Sequence, residues 1–209
     1  MVDVAALISG FRTFKATEYE RYKDMVSHIV QLNERPKTLV VACCDMRMAP
    51  GKIFSSNPGD LYVIRNLGAF VPEYSDSGIN GTIAAIDCAI TEFEVENVIV
   101  MGHGNCHSIR MLLSDQSQIK SNPMKEWLEI SMKAKVAVKE QLVDNTIEQQ
   151  ETALTQESIL VSLKNLLSYP EIAKRVKADK LKLYGWHFDI ASGQLLAFNP
   201  TERTFDPIE

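Results

Sequence analysis

The 209-residue chain has only four cysteines, at positions 43, 44, 88 and 106. That scarcity excludes the disulfide scaffold of a small secreted domain. No stretch approaches the roughly 18 apolar residues of a membrane span, and the opening MVDVAALISGFRTFKATEYE has neither a basic start nor a long apolar run. Basic side chains are outnumbered, 22 against 27 acidic for a net charge of -5, and the two signs are interspersed. With no basic stripe to meet a phosphate backbone, nucleic acid and membrane are both excluded as partners. Repeats and low-complexity tracts are also missing. What remains, 45% apolar and 23% charged residues, is the composition of an ordinary globular protein. A chain of this length buries about 70% of its unfolded surface, so one domain over residues 1–209 folds without staples. Free thiols that serve as ligands need a reducing compartment, and the expected location is the cytoplasm.

The apolar pattern predicts an α/β fold. Tyr19, Tyr22, Met25, Ile29 and Leu32 recur at helical spacing, making residues 1–33 an N-terminal helical arm that Asn33 to Pro36 ends. Residues 38–43 form an apolar, β-branched run of the kind buried on both faces of a parallel sheet. A second strand is expected over 61–64, a helix over 78–93 and a third strand over 95–101. Helices should fill most of 106–177, with breaks near Pro123 and Pro170. LKLYGWHFDI, ASG and QLLAF then read as a strand, a turn and a returning strand. The expected architecture is a central sheet of four parallel strands plus one antiparallel edge strand, flanked by helices.

The chemistry sits where two of these strands stop. VVACCDMR ends in Cys43, Asp45 and Arg47, and NVIVMGHGNC ends in Gly102, His103 and Cys106. Open sheets bind ligands beyond the carboxyl ends of their strands, so the two motifs are placed to converge. Together they offer two thiols and an imidazole, the soft donor set that Zn²⁺ prefers, with one position left for water or a carboxylate. Alternation along the strand puts Cys43 and Asp45 on one side and Cys44 on the other, where Cys44 is read as core filler. A vicinal pair facing opposite ways is a poor redox dithiol.

At this point the chain resembles the β-class carbonic anhydrases, closer to their plant-like branch. The similarity is carried by the Cys-x-Asp-x-Arg and His-x-x-Cys motifs, RNLGAFVP, GTIAAIDCAI and the closing GWHFDIASGQL. The resemblance implies a zinc-dependent lyase, a carbonate dehydratase that interconverts CO2 and bicarbonate. It implies one Zn²⁺ per subunit on Cys43, His103 and Cys106. Zinc-bound hydroxide would attack CO2, oriented by the dyad of Asp45 and Arg47, and Asp45 is the alternative fourth ligand of a closed, inactive site. It further implies a homodimer or homotetramer in which each pocket is completed by the neighbour and the N-terminal arm lies in the dimer contact.

Substrate-lining roles carried over in this way fall on Glu34, Tyr62, Leu67 and Cys88. Plain core is the competing reading of Tyr62 and Leu67. Three positions depart from plant-like members: Glu34 stands for a usual Gln, Cys88 for a Tyr, and His107 for a Gly after the last zinc ligand. His107 reads either as a proton shuttle or as an exposed helix residue. Arg65 and Asn66 read as braces for loops. Two rival functions keep the same metal: hydrolysis of carbonyl sulfide or carbon disulfide, and a non-catalytic zinc protein in which Asp45 closes the site.

Overall fold

The structure, a computed structural model, describes residues 3–141 and 145–208; residues 1, 2, 142–144 and 209 of the expected 1–209 domain lie outside the described residues. Six strands form one sheet: β1 (Thr38–Cys43), β2 (Leu61–Asn66), β3 (Asn97–His103), β4 (Lys182–Phe188), β5 (Leu195–Asn199) and β6 (Thr204–Pro207), in the order β2-β1-β3-β4-β5-β6. β2, β1, β3 and β4 run parallel, and β5 returns antiparallel to β4, as the apolar pattern predicts.

β6, outside β5, is an addition to the expected sheet. Of its four residues Thr204 and Asp206 are polar, and Phe205 packs on Phe198 with ring centroids 5.4 Å apart. Edge pairing to one neighbour needs no alternating apolar signal, so that strand has none.

The helices are α1 (Val4–Ala16), α2 (Glu18–Leu32), α3 (Pro50–Ile53), α4 (Gly81–Thr91), α5 (His107–Leu113), α6 (Asn122–Leu128), α7 (Met132–Gln141), α8 (Ile147–Leu166) and α9 (Pro170–Lys177). Proline starts two of the helices that follow the expected breaks, at Pro123 in α6 and Pro170 in α9. Asn80 caps α4 by accepting from the N–H groups of Thr82 and Ile83, and Thr146 and Gln149 close a capping box on α8.

The two faces of the sheet are covered unequally. On one, Leu39, Val41, Val98 and Val100 pack with Ile86, Ile159, Leu166 and Ile172 of α4, α8 and α9. α8 lies so close to β3 and β4 that a Cβ on Gly102 would stand 2.8 Å from Thr155 and one on Gly185 2.8 Å from Ile159. Glycine is what permits that approach. On the other face Val40, Ala42, Ile99 and Met101 pack with Met48, Ile53, Phe54 and Trp186, and the short α3 supplies Ile53 to that layer. Val63 and Tyr184 remain exposed there.

The N-terminal arm folds as two helices that bury no residue, and Val4, Leu7, Ile8, Phe11 and Phe14 of α1 are all exposed. Among the described residues no helix is long and apolar enough to cross a membrane.

Candidate metal centre

β1 and β3 are neighbours, so their carboxyl ends deliver Cys43 and His103 to one crest of the sheet. The loop after β3 turns through Asn105, at φ 57°, a left-handed conformation that asparagine tolerates. It brings Cys106 back as the residue that caps α5. The ligand atoms of Cys43, His103 and Cys106 all lie within 4.8 Å of one another, and all three residues are buried. The two sulfurs are 3.8 Å apart.

The donors fit a zinc ion. His103 Nδ1 lies 2.9 Å from the carbonyl oxygen of Gly104, an acceptor, which assigns the proton to Nδ1 and leaves a lone pair on Nε2. That Nε2 is buried with no protein partner, a costly state that a metal relieves. The Cys43 sulfur accepts the backbone N–H of Asp45 at 3.4 Å, and Cys106 stands at the N-terminus of α5. Between the thiols, Cys43 is pulled below the ordinary thiol range because Cys106 donates to it, and Cys106 is pushed above. One proton thus bridges a pair that a divalent cation can replace.

Asp45 and Arg47 stand at the rim. Asp45 Oδ1 accepts from the backbone N–H and from Nε of Arg47, each at 2.9 Å, and Oδ2 accepts from Nη2 at 2.7 Å. Arg47 Nη2 also donates to the Asn105 carbonyl at 2.8 Å, which ties the first motif to the second. The guanidinium, foremost, holds the Asp45 carboxyl well below the usual carboxylate range. Arg65 braces the same turn, donating to the carbonyls of Cys43 at 3.1 Å and Asp45 at 2.6 Å. Asn66 donates to the Phe70 carbonyl at 2.8 Å.

The remaining candidates scatter. Leu67 follows β2 directly, in the turn that carries Gly68. Tyr62 lies in register with Leu39, at the opposite end of β1 from Cys43, with its ring 5.3 Å from Phe93. Burial, followed by the neighbouring Cys88, raises the Tyr62 hydroxyl above its ordinary value. Tyr62 and Cys88 therefore meet each other but not the three donors of their own subunit. Glu34 is exposed beside His28, at 3.9 Å. His107 is exposed on the first turn of α5.

Cys44, expected in the core, is exposed instead. β1 ends at Cys43, so Cys44 lies on the loop beyond the sheet rather than on a strand face against the core.

Sequence reasoning also missed His187. It is buried on β4 in register with Gly102, with Nδ1 unpartnered. Its ring lines a cavity of about 680 Å³ shared with Arg47, Asn105, Arg110 and Asp189. Burial lowers its pKa to about 4, with Asp189 opposing and His103 adding to the shift. A lone histidine in GWHFDI offers no spacing signal; only the register reveals it.

Residues 38–195 match the family model described as carbonic anhydrase. Beta carbonic anhydrase 3 of Arabidopsis thaliana is 34% identical over 193 residues, covering 91% of this chain and 74% of the relative. The solved β-carbonic anhydrase CcaA superposes with a TM-score of 0.91 at 30% identity, over 97% of this chain and 98% of the other. One of two tetrameric β-carbonic anhydrases of Sordaria macrospora shares the fold, with a TM-score of 0.81 at 22% identity over 92% and 95% of the two chains. The chain belongs to the β-carbonic anhydrases, a family of zinc enzymes.

Proposed function

We propose that Cys43, His103 and Cys106 hold one zinc ion, and that Asp45, fixed by Arg47, orients the nucleophile for reversible hydration of CO2 to bicarbonate and a proton. When bound, zinc supplies a Lewis acid that brings the ionisation of water toward neutral pH. Two thiolates offset its charge more than neutral imidazoles do, so activity rises with pH. Asp45, kept ionised by Arg47, accepts hydrogen bonds and donates none. It can thus fix the proton of an incoming water and leave an oxygen lone pair free for carbon. With both of its oxygens engaged by Arg47, the Asp45 carboxylate would be held back from joining Cys43, His103 and Cys106 as a further ligand.

Tyr62, Leu67, Cys88 and Glu34 line the substrate pocket in this reading, the first and last two from a neighbouring subunit. The unpartnered apolar face of α1 supports an arm that packs on a second copy of the chain. The tetrameric Sordaria relatives support the same assembly, a dimer or a pair of dimers. His107, exposed beside Cys106, passes protons to buffer. Four free thiols suit the cytoplasm.

The observation that carries the reading is the buried cluster of two sulfurs and an unpartnered imidazole nitrogen. Zinc content and CO2 hydration, measured together across pH on wild type and Asp45→Ala, test it. Stoichiometric zinc in both, with turnover rising with pH in wild type and severely reduced in the variant, is expected. Equal turnover in the two proteins removes Asp45 from the mechanism, and absence of zinc removes the site.

A further inference from the structure

Phe70 is fully buried and packs in one apolar cluster with Cys43, Cys106, Ile109 and Leu112. The turn that delivers it, Leu67–Ala69, touches β1 and β3, which end in Cys43 and His103, and α5, which Cys106 caps. Every element that holds a donor therefore meets this one turn.

The turn is conformationally costly. Gly68 at φ 82° and Ala69 at φ 58° are both left-handed. Glycine is free to be so, and a Cβ at Gly68 would in any case lie 2.7 Å from the Phe70 ring. Ala69 carries a Cβ that opposes the conformation. A residue held in this way persists only where its surroundings over-determine it.

Asn66 supplies that constraint through its backbone and its side chain. It is the register partner of Cys43, so the two side chains rise from the same face of the sheet. Its backbone carbonyl accepts the N–H of Cys44 at 2.8 Å, which pins the chain just beyond β1. Its Nδ2 spans the turn and donates to the Phe70 carbonyl at 2.8 Å, and to Thr82 Oγ1 of α4 at 3.3 Å. The Phe70 carbonyl can only accept, which fixes the amide with Nδ2 toward it. Oδ1 is left buried with no partner among the described residues. An unpaired buried acceptor is costly, and the bonds donated by Nδ2 are what offset it.

We infer that Asn66 is a positioning residue for the metal centre: its amide closes the turn over residues 66–70, seats Phe70 in the apolar layer around Cys43 and Cys106, and so keeps the donors in place. The inference rests on the reading of those donors as a zinc site. Groups behind the ligands change metal affinity about 10- to 100-fold.

Asn66→Leu keeps the bulk and removes the donor. In the full-length variant the zinc dissociation constant, measured by competition with a chromogenic chelator, rises about 10-fold or more. In cobalt-substituted protein the visible ligand-field bands, which report donor geometry, move. Ile172→Val, in the core cluster that contains none of the donors, controls for lost stability and leaves both readings at wild type. An affinity loss that Ile172→Val shares in full overturns the inference. Zinc-free wild type sinks the reading of the site and the inference with it, whereas zinc-bound wild type matched by Asn66→Leu in affinity and bands sinks the inference alone. If Asn66→Leu does not fold, Phe70→Leu decides, because it leaves the Asn66 bond in place and removes the ring that the bond positions. Weakened zinc binding then supports the inference, and unchanged affinity overturns it.

Discussion

The sulfurs of Cys43 and Cys106, 63 positions apart in the chain, lie 3.8 Å from each other, so without metal one of them keeps a proton. Two independent thiols would both be protonated at pH 6, and zinc would displace about two protons. With Cys43 lowered and Cys106 raised, about one is displaced from the pair. Calorimetric titration of apoprotein with zinc in buffers of different ionisation enthalpy counts them, and a value near two contradicts the shared proton.

Arg47 grips Asp45 through three hydrogen bonds, two of them from the guanidinium. Charge-assisted bonds of this kind contribute about 1.5–3 kcal/mol, so Arg47→Gln is expected to lower kcat/KM roughly 10- to 100-fold. Zinc content should stay unchanged, because Arg47 touches no donor atom. Metal analysis beside stopped-flow CO2 hydration checks both.

His187 is buried and neutral, with its pKa lowered to about 4. The unfolded chain, where histidine titrates near 6.5, binds the extra proton first as pH falls. Its neutral burial therefore costs no stability above pH 6.5 and progressively more between 6.5 and about 4, to a total of about 3 kcal/mol. Denaturant titrations over that range should show a shallower acid loss in His187→Gln. Parallel curves for the two proteins contradict the assignment.

Gly102 immediately precedes His103 and lets α8 rest on β3, at a spacing where a Cβ would stand 2.8 Å from Thr155. Gly102→Ala overpacks that contact and should cost about 1–3 kcal/mol. Thermal unfolding measures it; an unchanged midpoint means α8 yields without strain.

Much of this was legible in the sequence because the signals were local. The parallel strands announced themselves as β-branched apolar runs, and both metal motifs began where such runs ended. Cys44 was misplaced because alternation tells which way a side chain points and not whether anything covers it. Tyr62 and Cys88 carry no local mark that places them beside each other rather than beside the three donors. His187 reaches the neighbourhood of the site only through strand register, across a separation that no motif spans.

X-ray absorption at the zinc edge of the purified wild-type protein tests the central claim most directly. The account predicts one zinc per chain with two sulfurs at about 2.3 Å, one imidazole nitrogen at about 2.0–2.1 Å, and one further light-atom ligand. A shell of four sulfurs, a shell without sulfur, or no bound zinc contradicts it.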